Sequence, residues 1–452
     1  MSACSGSDGA QGPQGEPGEP GEPGEPGEGV ALGYVGSEAC GECHAAQYAG
    51  WTNSGHPYEI VPVDDILNDT AYPAFVNDIH GEYDAVDANF FEQAGADLLS
   101  INENTFPEGG WDDVTYVIGG YGWKTRFINV DGYIITGTDN GGTESDKVQY
   151  NFPLDVDAFG GFAYEDLDAS SSTYHTGEMK PYDCGTCHTT GWVADTDAAD
   201  DDDLSDNQDM LPGIHGTWEE PGVGCEGCHG PSAGHQENPY EVRTPADPAA
   251  SCGNCHIRTD PYEIDTSGGF IRHHELIEGK HSALGCVGCH DPHQPVRFGD
   301  QYEALDGEED DPNPDFPNFH GVRVDCTSCH FNETAADDLW AENIPGMGGV
   351  SCENCHMPKA TKSAVKAGEF YVDTATHLFG INTWVDPVLN PEETTTGSNP
   401  ANPYISLDWS CGACHFDEAE SSPDFYDWAF TAVQSFGGVH GNGQQISLPI
   451  PN

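Results

Sequence analysis

The chain of 452 residues carries 78 Asp and Glu against 13 Lys and Arg, a formal charge of −65. So strong a negative field repels nucleic acid and anionic membrane surfaces, which excludes both as partners of the bare polypeptide. No run of 18 or more apolar residues is present to span a membrane as a helix.

Residues 1–29 form the first segment. Ser2-Ala3-Cys4 resembles the end of a bacterial lipoprotein signal, with Cys4 as the lipid-bearing residue and the only expected membrane attachment. Because no apolar stretch precedes it, the expectation is that translation starts upstream; the alternative is an incidental thiol. From Gly9 to Gly27 glycine recurs at every third position, the collagen period. So few triplets favour an extended Pro- and Gly-rich spacer over a trimeric stalk.

Residues 30–57 introduce the pattern that dominates the chain, Cys40-Gly41-Glu42-Cys43-His44. Cys-x-x-Cys-His returns at Cys184, Cys187 and His188, at Cys225, Cys228 and His229, at Cys252, Cys255 and His256, and at Cys286, Cys289 and His290. It recurs again at Cys326, Cys329 and His330, at Cys352, Cys355 and His356, and at Cys411, Cys414 and His415. These eight copies use 16 of the 17 cysteines and leave Cys4 over. Two thiols a short loop apart form thioethers to one porphyrin while the adjacent imidazole reaches its iron, so the pattern predicts eight c-type haems. Zinc ribbons, redox dithiols and disulfides need no histidine after every second cysteine. With about 56 residues for each haem, the cofactors must supply much of the core that a chain this long would otherwise build alone. The expected fold is a multihaem cytochrome c fold, mostly coil with short helices wrapped around stacked haems.

Residues 58–170 carry no motif and read as a small β-rich insert. Within them DVTYVIGGYGWKTRFINVDGYIITG (113–137) has β-branched and aromatic runs, Gly-Gly breaks and Asp131-Gly132 as a hairpin turn. Tyr116, Tyr121, Trp123 and Tyr133 are expected as core and strand residues. Residues 171–378 hold the six-haem core, and residues 379–452 hold the eighth haem. Acidic runs at 195–209 and 305–315 read as solvated loops. Calcium held by clustered carboxylates is the second reading, though the first run lacks the glycine-centred spacing of a helix–loop–helix calcium site.

Each iron takes a sixth ligand or leaves that face open. Twelve histidines lie outside the motifs: His56, His80, His175, His215, His235, His273, His274, His281, His293, His320, His377 and His440. That surplus suits bis-histidine ligation throughout, whereas the chain has five methionines and Met357 stands beside a motif histidine, too close to cross to the other face. His80, remote from every motif, is expected to be structural. His293 follows His290 by three residues, a reach of at most roughly 10–11 Å, with Pro292 restricting the path. It is therefore expected to serve a haem other than the one at Cys286 and Cys289, or to be a hydrogen-bonded turn residue.

Several long segments carry a resemblance: SEACGECHAAQYAGWTNSGHP (37–57), DCGTCHTTGW (183–192), GIHGTWEEPGVGCEGCHGPSAGH (213–235), GFIRHHELIEGKHSALGCVGCHDPH (269–293), and CENCHMPKATKSA (352–364) with THLF (376–379). Together they resemble the bacterial multihaem c-type cytochromes of the c554-like superfamily, over roughly residues 34–440. The resemblance implies export, closely stacked haems, and distal ligands at His56, His215, His235, His281, His293, His320, His377 and His440, with His175 and His274 as alternatives. It implies one of two activities. The first is extracellular electron transfer to a mineral, an electrode or a partner cytochrome, as a lipid-anchored surface protein or a filament. The second is an octahaem oxidoreductase reducing a small nitrogen or sulfur oxyanion. The nitrite-reducing members of that second group use Cys-x-x-Cys-Lys at the reactive haem, which is absent here, and the scarcity of cations leaves little to draw in an anion.

Overall fold

The structure is a computed structural model that describes residues 33–68, 71–73, 76, 110–136, 150–151, 179–196, 204–240, 242–246, 248–256, 264–265, 270–271, 281, 284–297, 321–322, 324, 326–330, 350–359, 361–368, 371–377, 379–382 and 405–415. Its most extensive regular element is a six-stranded antiparallel sheet. β1 (Ile60–Pro62) pairs with β2 (Val114–Gly119), and β2 with β3 (Lys124–Asn129). Both β4 (Tyr133–Ile134) and β5 (Tyr150–Asn151) pair with β3, and β4 continues to β6 (Lys180–Pro181). The β-branched and aromatic residues of VTYVIG and TRFIN suit a pleated, half-buried surface, which is why these runs form the central pair.

The turn between β3 and β4 is the expected one at Asp131-Gly132. Asn129 Oδ1 accepts the amides of Asp131 at 3.1 Å and Tyr133 at 2.8 Å, closing the turn. Gly132 has φ +86° and lies so close to Ile214 that a Cβ would meet it at 2.9 Å, so glycine is required on both counts.

The core lies between this sheet and residues 211–218. Ile60, Tyr116, Ile128, Ile134, Tyr182, Ile214 and Trp218 form one buried cluster, with Cys184, Trp192 and Leu211 packed against it. Tyr182 meets Trp192 edge-on at 6.0 Å, and Tyr116 meets Trp218 edge-on at 5.4 Å, geometries that favour the ring quadrupoles. Burying each large apolar side chain contributes about 1.5–3 kcal/mol. Because Tyr182 stands two residues before Cys184, that energy fixes the second motif. Tyr116 and Tyr121 are buried, as expected, while Trp123 lies under the guanidinium of Arg297 at 4.5 Å.

Elsewhere the elements are short, and the longest described helix, Leu407–His415, has nine residues. Two carboxylates, Glu226 buried and Glu220 half-buried, join the chain start to the third motif. Glu226 accepts the amides of Val35 (2.9 Å), Gly36 (2.8 Å) and Ser232 (2.7 Å), and Glu220 accepts both the amide and the hydroxyl of Ser37.

Candidate haem centres

Residues i, i+3 and i+4 share one face of a helical turn, so Cys-x-x-Cys-His places two thiols and an imidazole together wherever it is helical. In four motifs the histidine amide donates to the first cysteine's carbonyl at 2.9 Å: His44 to Cys40, His256 to Cys252, His290 to Cys286 and His330 to Cys326. The second cysteine's amide donates to the same carbonyl at 3.2 Å, from Cys43, Cys255, Cys289 and Cys329 respectively, which tightens each turn. The helices Gly185–His188, Cys225–His229, Cys352–His356 and Leu407–His415 contain the other four histidines.

None of the sixteen motif cysteines is paired in a disulfide. Cys289 is half-buried, whereas Cys329 and Cys414 are exposed. Burial raises the pKa of Cys355, and Cys414 of the eighth motif adds to the rise.

Five motif histidines face a histidine from a distant part of the chain. The ring centres are 6.2 Å apart for His44 and His235, 6.1 Å for His256 and His56, 6.3 Å for His229 and His293, 5.9 Å for His330 and His281, and 6.0 Å for His290 and His377. A first-row metal between two imidazole nitrogens, about 2 Å from each with about 1.1 Å more to each ring centre, sets those centres about 6.2 Å apart. The donor set and its spacing therefore fit a bis-histidine iron. The rings lie within 19° and 26° of parallel at His229/His293 and His44/His235, and near perpendicular, 79° and 81°, at His330/His281 and His256/His56.

Burial pushes the imidazoles of His56, His281 and His290 below the ordinary histidine range, with a neighbouring histidine adding to the effect at each. It favours the neutral ring, the form that ligates metal. Several rings are also held through Nδ1. His229 bonds the Thr244 carbonyl at 2.6 Å, His235 that of Val242 at 2.9 Å, and His356 that of Phe379 at 2.6 Å. With Nδ1 donating, the lone pair on Nε2 is the one offered to a metal. Two rings meet carboxylates instead: His188 Nδ1 lies 3.1 Å from Glu59 Oε2, and His293 Nδ1 lies 3.1 Å from Asp291 Oδ1. Burial alone would raise the Glu59 pKa, but the hydrogen bond and charge of His188 outweigh it and hold Glu59 below the usual carboxylate range.

Segments of different motifs meet, which links the centres in a definite order. Cys187 Sγ lies 3.9 Å from the Asn254 carbonyl and Cys255 Sγ 3.6 Å from that of Thr186, joining the second and fourth motifs; burial, then the neighbouring thiols of Cys225, Cys187 and Cys286, push Cys40 and Cys255 up to about 12 and Cys252 to about 11. The Ser251 hydroxyl donates to the Cys228 carbonyl, and that of Ser410 to the Cys355 carbonyl. Cys326 Sγ lies 3.4 Å from Glu353, the residue after Cys352. His290 bridges to Val322, and the Asp291 amide donates to the Gly321 carbonyl, tying the fifth motif to the stretch that leads into the sixth. Phe379 contacts His281 at 4.3 Å and His377 at 6.0 Å, while its carbonyl holds His356.

Of the eight expected distal histidines, His56, His235, His281, His293 and His377 are thus brought against motif histidines. His215 is fixed by main-chain bonds to Tyr182 and Asp195, and its ring contacts no other described histidine ring. His320 and His440 lie outside the described residues, as do His80, His175, His273, His274 and Cys4. Glu59, Asp291 and Phe379 were not anticipated from the sequence. The signal available for the two acids was position alone, three residues after His56 and two before His293.

A family model described as "Cytochrome c554 and c-prime" matches residues 301–357, across the sixth and seventh motifs. Over those residues the chain is similar to that family of multihaem c-type cytochromes. The chain is 22% identical over 496 aligned positions to the dissimilatory sulfite reductase MccA of Wolinella succinogenes; the match covers 88% of the chain and spans 60% of that relative's length. Among solved structures it is similar to the outer cell wall cytochrome OcwA, with TM-score 0.43 and 18% identity over 89% of this chain and 86% of that one. The octahaem sulfite reductase MccA gives TM-score 0.43 and 18% identity over 84% and 64%. An undecahaem cytochrome from the S-layer of Carboxydothermus ferrireducens gives 0.35 and 17% over 73% and 51%.

Proposed function

We propose that this protein is an electron relay in which eight motifs each hold one covalent haem. Haem iron bound by two imidazoles changes oxidation state by single electrons and, with both axial positions filled, offers no place for a substrate. In this reading His44, His188, His229, His256, His290, His330, His356 and His415 are the proximal ligands. His235, His293, His56, His377 and His281 are distal at the first, third, fourth, fifth and sixth sites. His215, His320 and His440, with His175 and His274 as alternatives, serve the remaining three.

Continuity is the observation that carries the proposal. Motif one touches three, three touches four, two touches four, four touches five, five is tied toward six, six touches seven and seven touches eight. A chain that only stored haems would not need its motif segments packed against one another. We place the protein outside the cytoplasm, at the cell surface or beyond it, with a redox partner, mineral or electrode as acceptor. A lipid at Cys4 and head-to-tail assembly into a filament belong to the same reading, and no described helix is long and apolar enough to cross a membrane. Intact-mass measurement of the purified protein should show eight haems with Cys4 outside them; seven or fewer contradicts the relay as drawn.

The likeness to MccA across 88% of the chain favours one other reading, reduction of a small sulfur oxyanion. It requires one iron with an exchangeable face. Sustained sulfite consumption by the chemically reduced protein would establish it over the relay.

A further inference from the structure

We propose that Glu59 is a positioning residue that lowers the reduction potential of the haem of Cys184 and Cys187, through the contact of its carboxylate with His188. This rests on the reading that His188 is the axial ligand of that site.

His188 Nδ1 lies 3.1 Å from the main-chain oxygen of Glu59 and 3.1 Å from its Oε2. The motif histidines His229 and His356 instead meet main-chain carbonyls, at Thr244 and Phe379. A full negative charge accepts the N–H more strongly than a neutral carbonyl does. It draws the ring toward its anionic, more basic form and so enriches the metal in electron density. More electron density favours the ferric over the ferrous state, which lowers the reduction potential.

The position of Glu59 is set by the sheet. It stands between the turn His56–Tyr58 and β1, and its carbonyl also accepts the Gly119 amide at 3.0 Å from β2. Tyr58 stacks on Tyr121 at 5.6 Å and 6°, clamping the same turn. The carboxylate therefore rides on a rigid element, as a tuned site demands. The charge of Glu59 also reaches His56 and His256, the facing pair of the fourth motif, without a hydrogen bond to either being formed among the described contacts. A smaller effect is expected there. Asp291 makes the same kind of contact with His293, at 3.1 Å within its own two-residue turn, so the third site is expected to be lowered as well.

The second motif meets the fourth, and the fourth also meets the third and the fifth.

The test is a spectroelectrochemical titration of the full-length, haem-loaded protein as Glu59→Gln, with Asp64→Asn as a control that removes an exposed charge five residues on. Glu59→Gln should shift the reduction equilibrium of one haem upward about tenfold, the lower end of typical effects of groups behind a metal ligand. Tenfold is about 59 mV for one electron. One further haem should shift less, and Asp64→Asn should leave both in place. Glu59→Asp, which keeps the charge one methylene shorter, should move the same haem by less than half as much, and it serves where the Gln variant fails to load haem. No shift in either Glu59 variant, or an even shift of all haems that Asp64→Asn reproduces, overturns the proposal. Fewer than eight haems on the unaltered chain would overturn the relay reading itself.

Discussion

Residues 33–256 bury a polypeptide core of their own, centred on Ile60, Tyr116, Ile128, Ile134, Tyr182, Ile214 and Trp218, whereas among the described residues from 281 to 415 the buried apolar side chains are Ile405, Leu407 and Trp409. In the first region a sheet and the carboxylates of Glu220 and Glu226 position the ligand-bearing segments. In the second, histidines are placed by main-chain carbonyls, by Phe379 and by the neighbouring motifs. The contrast shows two ways of holding a haem with little protein. One builds a scaffold and hangs the motif from it; in the other, the described residues hold the ligands through contacts between neighbouring motifs.

The strongest way to break this comparison is to prevent haem attachment. Protein made without the attachment machinery should keep slow amide exchange in Val114–Ile134, where backbone bonds and core are protein-made. Exchange at 284–297 and 405–415 should become fast, because the described contacts there run between segments that haems hold together in the proposed relay. Equal loss in both regions would remove the distinction.

His293→Ala sharpens it by crossing the boundary, since His293 lies in the second region and faces His229 in the first. One of eight haems should turn high-spin, and peptide mapping should locate it at Cys225 and Cys228. A vacancy at Cys286 and Cys289 would contradict the pairing.

A smaller effect is expected from Glu226→Ala. It strips three amides, those of Val35, Gly36 and Ser232, of a charged acceptor. The cost should be about 3 kcal/mol, since a hydrogen bond to a charged group contributes about 1.5–3 kcal/mol. Denaturant unfolding followed at the first region should report it. A change within about 0.5 kcal/mol would mean that the carboxylate clamp is not what joins the first and third motifs.

How much of this could be read in the sequence follows from how local each signal is. Cys-x-x-Cys-His is local, because a single helical turn brings its three groups together, and it was legible in full. The strands of 114–134 and the Asp131-Gly132 turn were legible because alternation and turn chemistry act over a few residues. His293 was half legible: chain reach directed it away from the iron of its own motif, but nothing nearby pointed to His229. The pairs His44/His235 and His56/His256 join distant segments through the core and the carboxylate clamps, so no local pattern encodes them. Glu59 was missed for the same reason. In the sequence it is one acid among 78, and only the pairing of β1 with β2 sets it against His188.

The account stands or falls on both axial faces of every iron being closed, and low-temperature electron paramagnetic resonance of the oxidised protein measures that directly. It should show low-spin ferric haem throughout. The near-parallel pairs His229/His293 and His44/His235 should give rhombic signals, and the near-perpendicular pairs His330/His281 and His256/His56 should give highly anisotropic ones. A high-spin signal amounting to one haem in eight, shifting when sulfite is added, would contradict a closed relay and point to an enzyme.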